Sequence, residues 1–194
     1  ESSWRGLKFV VDRTNFRKNV KIELMNASKK EMLESFEDAP ELIQSALYKH
    51  VYTNAYDQPG ADPYSAIVSN YEFDNSPQDV ALMQQLSKVS AASLCPFIGG
   101  VSPQFFGKDT FSEWKKIPDL TAYMETADFV KWNSFRETED ARYLGLTFPN
   151  FMLRLPYGED TIPVDSFNYD EDVMGEDHDR YLWGNSSFAF AANM

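Results

Sequence analysis

From Val89 to Gly107 the chain runs nineteen residues without a charge. That length approaches a membrane span, but Pro96, Pro103, Gly99, Gly100 and several serines interrupt it, so it is not a transmembrane helix. It reads as the end of a buried helix followed by a buried strand. Upstream, Ser76-Pro77-Gln78-Asp79 is the best helix start in the sequence. Ser suits the N-cap, Pro fits the first turn, and Asp complements the positive end of the helix dipole. Val80, Met83, Leu86, Val89 and Ser93 then recur every three to four residues and mark one apolar stripe. Pro96-Phe97-Ile98-Gly99-Gly100-Val101 reads as the strand and its exit. The Gly pair marks a tight turn or a close backbone contact.

Around this unit, helical and strand signals alternate. Lys21-Ile22-Glu23-Leu24-Met25 alternates polar and apolar residues and predicts a strand. Ser28-Lys29-Lys30-Glu31 is a capping box opening a helix. Residues 41–56 read as a second helix, broken by Asp57-Gln58-Pro59-Gly60. Ala66-Ile67-Val68 leads a strand through Tyr71 and Phe73. Another helix is expected from Thr126 or Asp128 to about Tyr143, then a short strand Leu144–Phe148 halted by Pro149. Pro156-Tyr157-Gly158 is a turn, 158–180 an acidic loop, and 183–192 the region of a last helix. Strands separated by helices predict an α/β fold: a mixed or largely parallel sheet flanked by helices, in a layered α/β sandwich. With 194 residues and no strong linker, 1–194 reads as a single α/β domain.

Charge narrows the partners. Eighteen Lys and Arg against 30 Asp and Glu give a net charge of −12, which argues against nucleic acid and an anionic membrane surface. The distribution is uneven: residues 1–36 carry 8 basic and 5 acidic groups, while residues 137–179 carry 12 acidic and 2 basic. One cysteine, Cys95, permits no intrachain disulfide and favours a reducing compartment.

The search for chemistry is negative. Gly107-Lys108-Asp109-Thr110 has Asp where a phosphate loop needs Ser or Thr, and it reads as a surface turn. Cys95 with His50 or His178 is a nucleophile–base candidate, but nothing in the sequence sets a base beside it. A buried structural thiol is the better reading, and His50 reads as a half-exposed helix residue. The run from Asn168 to Asp179 is rich in hard-cation ligands, yet Val173 and Asp179 occupy the positions where a calcium loop needs Gly and Glu. The stretch Asp170–Asp179 reads as a solvated, metal-free loop. Arg136, Glu139, Asp140 and Arg142 offer i,i+3 and i,i+4 ion pairs on one helix. No catalytic, cofactor or metal residue is assigned. Residue chemistry alone stops at an acidic, aromatic-rich α/β domain with a binding or scaffold role. A ligand-binding domain or enzyme of unrecognised type is the alternative.

Several stretches carry more information. Lys131-Trp132-Asn133-Ser134-Phe135-Arg136, Glu139-Asp140-Ala141-Arg142-Tyr143-Leu144-Gly145-Leu146-Thr147-Phe148-Pro149 and Arg154-Leu155-Pro156-Tyr157-Gly158 are three. Ser3-Trp4-Arg5-Gly6-Leu7, Gln44-Ser45-Ala46-Leu47-Tyr48-Lys49, Ala92-Ser93-Leu94-Cys95-Pro96-Phe97-Ile98 and Tyr181-Leu182-Trp183-Gly184-Asn185 are four more. Together, in this order, they resemble the large sheath subunit of bacterial type VI secretion systems, the TssC, VipB or EvpB family. Two departures are visible: Asn150 where the family tends to have Arg, and Cys95-Pro96 where Ala-Pro is frequent.

The resemblance implies a non-enzymatic structural protein of the bacterial cytoplasm, akin to contractile phage tail sheaths. It implies pairing with a small sheath subunit (TssB/VipA-like) and stacking against neighbouring sheath subunits. The helical tube so formed surrounds an inner tube (Hcp-like), and an AAA+ unfoldase (ClpV-like) recycles the contracted sheath. It also implies an internal fragment of a longer subunit, with no nucleic acid partner and no membrane insertion.

Overall fold

The computed structural model describes residues 1–16, 19–166, 169–171 and 181–194. A three-stranded parallel sheet, order β1-β2-β3, is formed by β1 (Ile67–Phe73), β2 (Phe97–Val101) and β3 (Leu144–Thr147). A two-stranded antiparallel ribbon pairs β4 (Phe151–Met152) with β5 (Trp183–Gly184). Among the described residues seven α-helices surround them: α1 (Ser2–Arg13), α2 (Lys29–Glu37), α3 (Ala46–Tyr48), α4 (Pro77–Ser93), α5 (Leu120–Met124), α6 (Val130–Arg136) and α7 (Ser186–Ala191). The fold is mixed α/β with a parallel main sheet.

The helix α4 forms as its sequence predicts. The Ser76 hydroxyl accepts from the Asp79 backbone N–H, Pro77 occupies the first turn, and Val80, Met83, Leu86, Val89 and Ser93 are buried. Leu94 ends the helix in a left-handed conformation (φ 55°) and turns the chain straight into β2. All five β2 residues are buried, as a central parallel strand requires. Side chains alternate along it. Phe97 and Val101 enter the core under α4, while Gly100 faces α7 on the opposite side.

Three expectations are revised. Lys21–Met25 joins no sheet, although the segment is extended. Residues 41–56 are helical but not one α-helix: a 3₁₀ turn (Leu42–Gln44) precedes α3, and Lys49–Tyr56 winds as a π-helix. The wider winding keeps Leu47, Val51 and Ala55 buried while Tyr48, Tyr52 and Tyr56 stack, with ring centroids 4.9 and 5.4 Å apart. The helix expected from 126 to 143 divides into a 3₁₀ turn (Ala127–Phe129), α6, and a second 3₁₀ turn (Glu139–Tyr143). Thr138 is extended and breaks the run (ψ 146°). The four charged residues of that stretch therefore no longer share one helix face, and no ion pair joins Arg136, Glu139, Asp140 and Arg142 among the described residues.

Core packing around α6 is aromatic. Phe135 is fully buried and Trp132 nearly so. Trp132 meets Phe105 edge-on at 5.2 Å and Phe135 at 5.6 Å, and Phe129 lies 5.8 Å from Phe105. Trp132→Ala should therefore destabilise the protein by about 3–5 kcal/mol in urea unfolding. An unchanged unfolding midpoint would show that this aromatic face is not core.

Candidate functional site

Two places gather polar side chains into closed networks. The first is the seam where α7 meets the sheet. The β1–β2 register slips between Val68 and Glu72, so the intervening carbonyls lose their ladder partners. Asn185 Nδ2 donates to Tyr71 O at 3.0 Å, and Ser187 Oγ donates to Ser69 O at 2.6 Å. Asn185 Oδ1 meanwhile accepts from Ser187 N–H and caps α7. Ser186 Oγ bonds Thr147 Oγ1, which donates to Gly99 O at 3.1 Å. One turn of chain thus satisfies the buried polar groups that the bulge exposes. The seam lacks a titratable nucleophile.

The second is a clasp on the surface. The Arg154 guanidinium binds Glu171 through two bonds, Nη1 to Oε2 at 2.7 Å and Nη2 to Oε1 at 2.9 Å. Its Nε reaches Glu1 Oε1 at 3.0 Å, and its plane lies 4.0 Å from the centre of the Tyr157 ring. Arg5 closes the circle, binding Glu1 through Nε and Tyr157 Oη through Nη2, each at 2.8 Å. The Arg154 side chain is only 8% exposed, while its partners Glu1 and Glu171 still meet water. The clasp ties the start of α1 to the chain around residues 154–171. Bonds from Arg154 and then Arg5 hold the Glu1 carboxyl down to about 2, and Arg154 also lowers that of Glu171.

The residues singled out for chemistry fall elsewhere. Cys95 is fully buried, and desolvation pushes its thiol up to about 11. His50 is exposed and bonds Tyr64 Oη at 3.1 Å; Tyr64 in turn donates to Glu23, which pushes its phenol up to about 12. Neither the thiol nor the phenol is a nucleophile near neutral pH. Gly107 and Lys108 form a turn after the 3₁₀ segment Pro103–Phe106, with Gly107 at φ 61°. His178 and most of the acidic stretch Asp170–Asp179 lie outside the described residues. Glu171, within it, is committed to Arg154.

Large apolar side chains remain at the surface. Trp4 on α1 is 73% exposed, and Val11, seven residues on, shares its face. The opposite face of the same helix packs Gly6 against the Phe188 ring of α7. A tryptophan held outward by a helix fixed from behind is the composition of an interface anchor.

A family model named VipB (EvpB/VC_A0108, tail sheath N-terminal domain) matches residues 1–194. The chain belongs to this family. It is also 41% identical over 197 residues to the type VI secretion system sheath protein TssC1 of Pseudomonas aeruginosa. That alignment covers 100% of this chain and 39% of TssC1, so the chain spans well under half the length of that relative. The VipB family is a structural sheath component. The landmarks of the resemblance sit at structural duties here: Trp132 and Phe135 in the core, Arg154 at the clasp, and Asn185 in the seam. Asn150, one of the two departures, donates to Glu72 Oε1 at 2.8 Å. The sequence alone marks Arg154 and Asn185 without their roles and places Glu171 in a solvated loop, whereas Glu171 is paired with Arg154; Glu1 and Ser187 carry no local signal, because their partners are distant in the chain.

The clasp has a pH signature. Folding lowers both carboxyls, so their contribution is fully present above the ordinary carboxylate value of 4.5 and is lost as pH falls through the lowered values, about 2 for Glu1. Unfolding free energy should fall over that window in the parent, and fall less steeply in Arg154→Met. Parallel pH slopes in the two proteins would show that the clasp contributes no linkage.

Proposed function

We propose that this chain forms part of the wall of a contractile type VI secretion sheath. It does so as a structural α/β unit, paired with a small sheath subunit and stacked on copies of its own kind around an inner tube. The reading places it in the bacterial cytoplasm, with recycling of the contracted sheath by an AAA+ unfoldase, and gives it no catalytic, cofactor or metal site. The observation that carries it is the match of all 194 residues to the sheath family, together with the sheath name of the TssC1 relative. Physical support comes from where the landmark residues of the resemblance act. They stitch helices to the sheet or fill the core, and the one thiol is buried and held protonated. No helix among the described residues is long and apolar enough to cross a membrane.

A sheath subunit must offer apolar anchors that stay exposed until it assembles. Trp4 is the clearest anchor, because the face behind it is already occupied by Phe188. Trp4→Glu in the full-length protein should leave the melting temperature within about 2 °C of the parent, as surface substitutions do. Co-expressed with its small partner, that variant should give few or no tubes by negative-stain electron microscopy. Tubes of parental number and length would remove Trp4 from the assembly surface. Failure of the parent itself to form tubes with any small sheath subunit would contradict the sheath reading.

A further inference from the structure

Lys21–Met25 has the alternation of a strand but no ladder, and its placement explains the pattern. Lys21 pairs with Asp62, and Glu23 accepts from Tyr64. Ala27 O accepts from Tyr71 Oη at 2.9 Å, and Lys29 Nζ reaches Glu72 O at 3.1 Å. These contacts join residues 41, 41, 44 and 43 positions apart. A nearly constant separation means that the two stretches run side by side in the same direction.

They also meet on the free edge of the sheet. Ile67 N–H donates to Pro96 O, so the N–H of Val68, one residue later, turns away from β2. Phe73 O accepts from Ser102 N–H, so Glu72 O turns outward as well, and that is the carbonyl Lys29 reaches. A groove runs between the two stretches, walled there by residues 23–27 and 66–71, and continues toward α1, α2, α3 and α7 as a cavity of about 640 Å³ in all. No backbone hydrogen bond crosses it among the described residues.

We propose that residues 20–27 are a fourth parallel strand in waiting, tethered at both ends along β1 and able to close the groove by pairing with its outer edge. The connection supports this. Residues 20–27, then α2 and α3, then β1 repeat the strand–helix–strand logic of β1, α4 and β2. Leu24 and Met25 are more than half exposed, and successive strand residues point to opposite faces, so closure carries one to each face of the sheet. The closed strap also blunts an edge that would otherwise pair with another chain. This inference concerns the sheet alone and does not rest on the sheath reading.

Hydrogen–deuterium exchange of the full-length protein tests it. If the strap closes, the alternate backbone amides of 20–27 that face β1, and that of Val68, exchange more than ~100-fold slower than in free peptides, as paired strands do. Leu24→Pro, which removes a donor and fixes φ, should return both to the free-peptide rate while 97–101 stays protected. Protection below that threshold in the parent overturns the proposal, and so does Val68 protection that survives Leu24→Pro. Should Leu24→Pro also unprotect 97–101, the parent measurement decides alone.

Discussion

The structure depends on a strand that is bare on both faces at its middle. A Cβ on Gly99 would lie 2.5 Å from the Phe73 ring, and one on Gly100 would lie 2.5 Å from Asn185 Nδ2. Without those side chains, the core under α4 and the polar seam under α7 both reach the β2 backbone directly. On one side Phe73, Phe97 and the α4 stripe close the apolar layer. On the other, Asn185 enters beside Gly100, restores a partner to Tyr71 O, and caps the helix that carries Phe188. Phe188 then seats α1 at Gly6. Five elements therefore hang on two adjacent glycines, because any larger residue there would push one layer off the sheet.

Outward from that centre the interactions change in kind. The inner layers are held by apolar burial and by the short hydrogen bonds of the seam, which fix one arrangement. The periphery is held by charge: Arg154 with Glu1 and Glu171, Lys21 with Asp62, and Lys29 with the buried Asp79 at 2.8 Å. Exposed ion pairs are weak and respond to pH and salt, so the strap and the start of α1 are the parts that conditions can loosen. The exposed tryptophan of α1 is thus mounted on a rigid seam at one face and clasped by a pH-sensitive network at its first residue.

What the sequence made legible was local. The Ser76-Pro77 start, the Val80 to Ser93 stripe and the buried 97–101 strand needed only residues a few positions apart, and all three stand. The Gly pair was legible as a close contact but not as to what approaches it, since Asn185 lies 85 positions beyond Gly100. The α1 helix went unread because Gly6 weakens its local propensity and its inner face is defined by Phe188 near the far end of the chain. The break at Thr138 was hidden because Trp132, Phe135 and the charged residues after them keep a helical spacing, while the Thr138 hydroxyl and N–H both close on the Phe135 carbonyl and end the helix there. The clasp was invisible for the same reason as the seam: Arg154 meets Glu1 across 153 positions. Family resemblance recovered the important residues without showing why they matter, and the geometry supplies that reason.

Gly100 is glycine because Asn185 must approach it. A double-mutant cycle in urea unfolding tests this directly. Gly100→Ala should cost about 1–3 kcal/mol through overpacking, and Asn185→Gly should cost a further amount through the lost cap and the unpaired Tyr71 carbonyl. Combined, the two should cost less than their sum by more than ~0.5 kcal/mol, because removing the Asn185 amide makes room for the new methyl. Additive costs would contradict the account, since the Gly100 methyl would then be meeting something other than Asn185.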